Sequence, residues 1–171
     1  MSDSHAWRGP VGTLSEGGDG TGTVRMEDLF DTTVDDLWSA LTTADRLARW
    51  IGVVTGDLRL GGTFHAHFTS GWEGMGRVEV CRRPERILLA MAPGAPDETQ
   101  VEVTLAPAGE RTRLVIEERG VPIGDLAGYG AGWQAHVEDL GAHLAGGTPQ
   151  DWRARWLELT PSYATRSDGL P

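Results

Sequence analysis

Residues 128–147 read GYGAGWQAHVEDLGAHLAGG. Trp133, Val137, Leu140 and Leu144 recur at i, i+4, i+7 and i+11, the stripe of a helix with one apolar face. Gly146 and Gly147 follow as its stop. Such a helix needs a surface to bury its stripe against, and the segment before it supplies one. From Gly52 to Arg119 the chain breaks into short alternating runs punctuated by GG, SG, RRPE and PAGE, the pattern of an antiparallel meander of about five or six strands. In QVEVTL, Val101, Val103 and Leu105 alternate with Gln100, Glu102 and Thr104, so the sheet has a dry face and a wet one. The long helix is the expected cover of the dry face.

Outward from this pair, TGTVRMEDLF predicts a first strand from Thr21, interrupted at Asp28. In TTVDDLWSALTTADRLARW, Thr33 with Asp36 three residues later marks a helix start, and Val34, Leu37, Trp38 and Leu41 follow at helical spacing. A second short helix is expected near Thr43, carrying Leu47 and Trp50 inward. Beyond the long helix, TPQDWRARWLEL predicts one more short helix with Thr148 as N-cap, Pro149 at the first helical position, and Trp152, Trp156 and Leu159 on one face. It is too short to stand alone and is expected to dock. Residues 1–20, rich in Gly, Ser and Asp, are expected to be a mobile leader, residues 21–147 the domain, and residues 148–171 a C-terminal extension.

Composition narrows the function classes. The formal net charge is −10, which disfavours a nucleic-acid groove and an anionic membrane surface as partners. All 15 basic residues are arginine, so Schiff-base lysine chemistry is excluded. The single cysteine, Cys81, forms no internal disulfide and is expected to be an inert strand residue. The opening MSDSHAWRGP lacks the pattern of a signal peptide, and no apolar run approaches a membrane span, so a cytoplasmic protein is expected. No cofactor is implied. The partners left are a small apolar or aromatic molecule, another protein, or a second copy of the chain.

Strand phase decides the candidate site residues. In TFHAHFTSGW, residues 63–72, His65 and His67 share a face with Thr63 and Thr69, while Phe64, Ala66 and Phe68 share the other. The aromatic face is expected to point inward, leaving the histidines on the polar face without the further ligands a zinc site needs. The next strand is phased with Trp72, Gly74, Gly76, Val78 and Val80 together. In RLVIEERG, Leu114 and Ile116 share a face with Glu118. Most glutamates are exposed, so the first expectation for Glu118 is a strand end in solvent or an arginine pair. The alternative is an interior carboxylate with a raised pKa, able to act as general acid or base or to orient a ligand. On the long helix, Tyr129 and His136 flank the stripe; His136 is expected at the edge, half in water.

The order of these elements resembles the activator of heat-shock protein 90 ATPase-like branch of the START/SRPBCC superfamily. The stretches that carry the resemblance are FDTTVDDLWSALTTADRLARW, GDLRLGGTF, GMGRVEVCRRPERILLAM, TRLVIEERGVP and GAGWQAHVEDLGAHL, spanning roughly residues 22–146. The resemblance implies an α+β helix-grip fold, a curved antiparallel sheet wrapped around a long C-terminal helix, with two short helices after the first strand and a cavity between sheet and helix. Superfamily relatives use that cavity for lipids, hormones, flavonoid-like compounds or polyketide cyclisation. Thr33 stands where many relatives carry a proline, and Asp28 where they carry an arginine. No catalytic residue can be carried over, because no catalytic motif defines the branch.

The leading expectation is therefore a binding protein for a small apolar or aromatic ligand. Its expected wall is Trp38, Trp50, Phe64, Phe68, Trp72, Val78, Leu89, Val103, Ile116, Trp133, Val137 and Leu140, with Glu118 and His136 as polar anchors. The alternatives are an interaction or dimerisation module presenting Trp152 and Trp156, and a cyclase-, aromatase- or hydrolase-like enzyme using Glu118 or His136.

Overall fold

The computed structural model describes residues 12–168. Its strands are β1 Gly12–Glu16, β2 Thr21–Phe30, β3 Gly52–Gly56, β4 Thr63–Phe68, β5 Glu73–Arg82, β6 Arg86–Met91, β7 Thr99–Ala108 and β8 Arg111–Pro122. They form one antiparallel sheet in the order β1-β2-β8-β7-β6-β5-β4-β3. The chain leaves β2, crosses to the far edge through α1 Val34–Thr42 and α2 Ala44–Leu47, then meanders back until β8 pairs with β2. A single 3-10 turn, Ile123–Asp125, leads into α3 Leu126–Leu144, which lies across the concave face. This is the helix-grip arrangement.

Local chemistry accounts for the boundaries. Thr33 Oγ1 accepts the backbone N–H of Asp36, capping α1, and Leu37, Trp38 and Ala40 turn inward. The Trp50 indole N–H donates to the Ala40 carbonyl at 3.0 Å, tying the chain after α2 to α1. The α3 helix ends on the expected glycines: Gly146 takes φ +80° and the Gly147 N–H returns to the Ala142 carbonyl. Phe64 of β4 lies opposite Gly76 of β5, and its ring fills the space where a Gly76 side chain would stand.

Three expectations are corrected. The domain does not begin at Thr21: β1, inside the segment read as a mobile leader, pairs with β2 along its whole length. Residues 1–11 of that leader lie outside the described residues. Its lack of apolar residues misled the reading, because an edge strand needs one pairing neighbour more than a hydrophobic run. The last helix, α4, runs over Trp152–Asp168 and is neither short nor capped by Thr148. Asp151 caps it, accepting the Ala154 N–H on Oδ1. Finally, β5 shifts register between Val78 and Val80, so beyond that bulge Cys81, not Val80, takes the inner face.

The core is tightest where α3 crosses β1 and β2. Gly130 of α3 leaves room for the Tyr163 ring of α4, whose hydroxyl lies 3.9 Å from Met26 Sδ, and Ala131 and Ala135 are fully buried. A Cβ on Gly130 would lie 2.6 Å from the Tyr163 ring. The Tyr163 hydroxyl donates to Gln134 Oε1 at 2.8 Å and accepts the Gly12 N–H at 3.0 Å, so one buried phenol joins α4, α3 and β1. Near the other end of α4, Arg155 pairs with Glu138 of α3, and the connecting segment is held by Asp139, whose Oδ1 accepts the Gln150 N–H. Asp139 Oδ2 is buried without a partner, and burial pushes the carboxyl pKa up to about 6.

Candidate functional site

Where α3 spans from β2 towards the β3–β6 side, sheet and helix part to leave a cavity of about 540 Å³, within the range of small-molecule sites. Exposed Ser70, Gly124, Asp125 and Arg153 are among its lining residues, so it reaches the surface at that rim. Of the residues expected in the wall, Trp50, Phe64, Phe68, Trp72, Val78, Leu89, Val103, Ile116, Glu118, Trp133 and His136 line it. Trp38, Val137 and Leu140 do not: all three are buried in the hydrophobic core instead. Helical periodicity identifies a buried face but not the point along it where packing gives way to space.

Several wall residues were missed. Cys81 and Ile87 enter through the β5 bulge and its pairing with β6. Leu41, Leu47, Ile51 and Val54 come from the helices and strand of the crossover. Trp152, Arg153 and Trp156 come from α4. The Trp152 and Trp156 face, read as a candidate surface for another protein, packs back onto α3: the Trp156 indole N–H donates to the Gly128 carbonyl at 2.9 Å, and Gly132 makes room for the Trp152 ring. The signal was present in the sequence, since two tryptophans one turn apart need a partner surface, and Gly128 and Gly132 at the same spacing offer one.

The polar groups depart furthest from expectation. Glu118 is neither in solvent nor paired with arginine; it is 6% exposed. Its Oε1 accepts the Thr99 hydroxyl at 2.8 Å and its Oε2 the Trp133 indole N–H at 2.6 Å. Burial pushes its pKa up, against the pull of those two donors. Glu117, on the opposite phase, is the one that pairs with Arg25 and Arg119. Beside Glu118, burial together with the nearby carboxylate pushes the Tyr129 hydroxyl up to about 12, so it stays protonated.

His136 is 5% exposed rather than half in water, and burial lowers its pKa to about 3. It sits among rings, with centroids 5.3 Å from Trp152, 6.0 Å from Trp133 and 6.1 Å from Phe68. Trp72 stacks on Phe68 and Trp156 on Trp152, extending the ring cluster at both ends. Among the described residues, neither His136 Nδ1 nor the Trp152 indole nitrogen has a hydrogen-bond partner. By contrast His65 meets Glu73 at 3.2 Å, and it and His67 lie on the other phase of β4, away from the cavity.

Sheet order, crossover helices and the cavity under α3 agree with a match to the family profile described as activator of Hsp90 ATPase homolog 1-like protein, over residues 31–145. The chain belongs to this family. Activator of Hsp90 ATPase homolog 1-like proteins fall within the START/SRPBCC superfamily, and solved structures agree. CalU16 from Micromonospora echinospora superposes with a TM-score of 0.76 at 25% identity, covering 91% of this chain and 96% of CalU16. DynU16, a protein of the dynemicin biosynthetic locus, matches with a TM-score of 0.68 at 28% identity, over 75% of this chain and 50% of DynU16. A Bordetella parapertussis protein encoded by BPP1335 shares the fold at 24% identity, with a TM-score of 0.69 over 93% of this chain and 95% of its own. Among curated proteins none matches the chain.

Proposed function

We propose that this member of the activator of Hsp90 ATPase homolog 1-like family binds a small molecule with an apolar, aromatic body in the cavity between sheet and α3. The observation that carries the reading is the lining itself: five tryptophans, two phenylalanines and a tyrosine converge on one cavity, with Glu118 and His136 as buried polar anchors. Removing apolar ligand surface from water contributes about 25 cal/mol per Å², before the cost of immobilising the ligand. DynU16 is a protein of the dynemicin biosynthetic locus, and a biosynthetic setting accords with such a ligand. No helix among the described residues is long and apolar enough to cross a membrane, and we read the protein as working in the cytoplasm.

A second reading rests on Glu118 alone. A buried carboxylate with a raised pKa beside a cavity is equipped for proton transfer, which suits a cyclase- or hydrolase-like catalyst. Nucleophile and oxyanion donors do not converge with it among the described residues, so binding takes precedence. Native mass spectrometry of the protein isolated from its own host tests both. A released small molecule at one per chain supports the binding reading and provides the compound for a turnover assay. A chain that carries nothing, and whose tryptophan fluorescence no aromatic compound alters, overturns it.

A further inference from the structure

We infer that the cavity selects a ligand whose aromatic body carries a protonated amine, received by the Glu118 carboxylate and the rings around His136. This rests on the binding reading above and adds the charge of the ligand to it.

The argument begins with what Glu118 lacks. On β8 the arginines Arg113 and Arg119 alternate onto the outer face, where they pair with Glu27, Glu102 and Glu117. Glu118, on the inner phase, has only the neutral donors Thr99 and Trp133. The chain has no lysine, and Arg153, the one arginine in the lining among the described residues, is exposed at the rim. A buried carboxylate without a counter-charge is costly. That cost is what raises the Glu118 pKa; a cationic group arriving with the ligand favours the charged carboxylate and pairs with it, whereas an anionic ligand favours the neutral acid and gains no such pair.

The neighbouring groups fit an N–H donor. His136 is buried and faces the lining, with Nδ1 unpartnered, and its lowered pKa keeps the imidazole neutral, so a ring nitrogen has a lone pair to offer. Trp133 and Trp152 line the same cavity, and a cation placed against an aromatic ring gains from the ring quadrupole. Trp133 is fixed in place because its indole N–H already holds Glu118. The Trp152 N–H, also unpartnered, suits an ether or hydroxyl oxygen near the amine. Charge, acceptor and ring face are therefore supplied by one turn of α3, the end of β8 and the first turn of α4.

The test uses three probes of one shape and different charge: 2-naphthylmethylammonium, 2-naphthylmethanol and 2-naphthoate, titrated into the full chain by calorimetry. The ammonium is expected to bind about tenfold or more tighter than the alcohol, with the carboxylate weakest. In Glu118→Gln the ratio of ammonium to alcohol affinity should fall to about one, whatever the change in absolute affinity of the alcohol. Equal or tighter binding of the alcohol in the wild type overturns the inference and leaves the binding reading standing. So does an ammonium preference that survives Glu118→Gln intact. Binding of none of the three overturns both. If Glu118→Gln does not fold, the wild-type ranking alone decides.

Discussion

The helix α3 meets the sheet in two ways. Over β1 and β2 it presents Gly130, Ala131 and Ala135, and the space is filled by Met26 and by Tyr163 from α4. Over the arc from β7 to β3 it presents Tyr129, Trp133 and His136, and large side chains there border a void. The end with small residues is solid and the end with large ones is hollow. Cavity space in this fold is set by how far sheet and helix diverge, and the aromatic residues decorate that space without closing it. The solid end holds the geometry so that the hollow end need not collapse.

Substitutions should separate the two ends. Tyr163→Ala removes the phenol that joins α4, α3 and β1, and should cost about 3–5 kcal/mol by urea denaturation. Survival of full stability would show that the solid end is not the anchor. Enlarging a side chain at each end is the sharper test. Ala135→Phe, fully buried at the solid end, should destabilise by about 3 kcal/mol, while Val103→Phe, facing the void, should cost less than about 1.5 kcal/mol and abolish binding of a naphthyl probe. If both behave alike, the distinction between the ends fails. Outside the cavity lining, Thr33→Ala deletes the α1 cap and should cost about 1 kcal/mol with little effect on the probe.

The remaining tests are in pH. Asp139 has a folded pKa raised to about 6, so its contribution favours folding in acid and is lost as pH rises through about 6. His136 runs the other way: its folded pKa is lowered to about 3, so its contribution is present above about 6.5 and lost as pH falls from there towards 3. Thermal melts across that range should show Asp139→Asn gaining most over wild type above pH about 7. They should show His136→Phe losing less stability on acidification than wild type. Parallel pH profiles for both variants would remove either group from the account.

Much of this was legible in the sequence because it follows from period and punctuation. The alternation of Val101, Val103 and Leu105, the stripe on α3 and the Thr33 cap are local patterns with one structural solution. Glu118 shows the limit. Its phase with Leu114 and Ile116 placed it correctly on the inner face, but base rates for glutamate pointed to solvent, and its donors are 15 and 19 residues away in the chain. His136 was misjudged because the rings that bury it include Trp152, brought in from a separate helix, α4. Cys81 was misplaced by a bulge, where one extra residue reverses the inside and outside of every position beyond it.

The bond between Gly12 and Tyr163 spans 151 positions of the chain, and this separation has a bearing on biogenesis. A ribosome delivers the sheet first and α4 last, so until residues 152–163 have emerged the pocket has neither its Trp152 and Trp156 wall nor its anchor on β1. The step that completes the Trp152 and Trp156 wall is therefore also the step that ties β1 to α4.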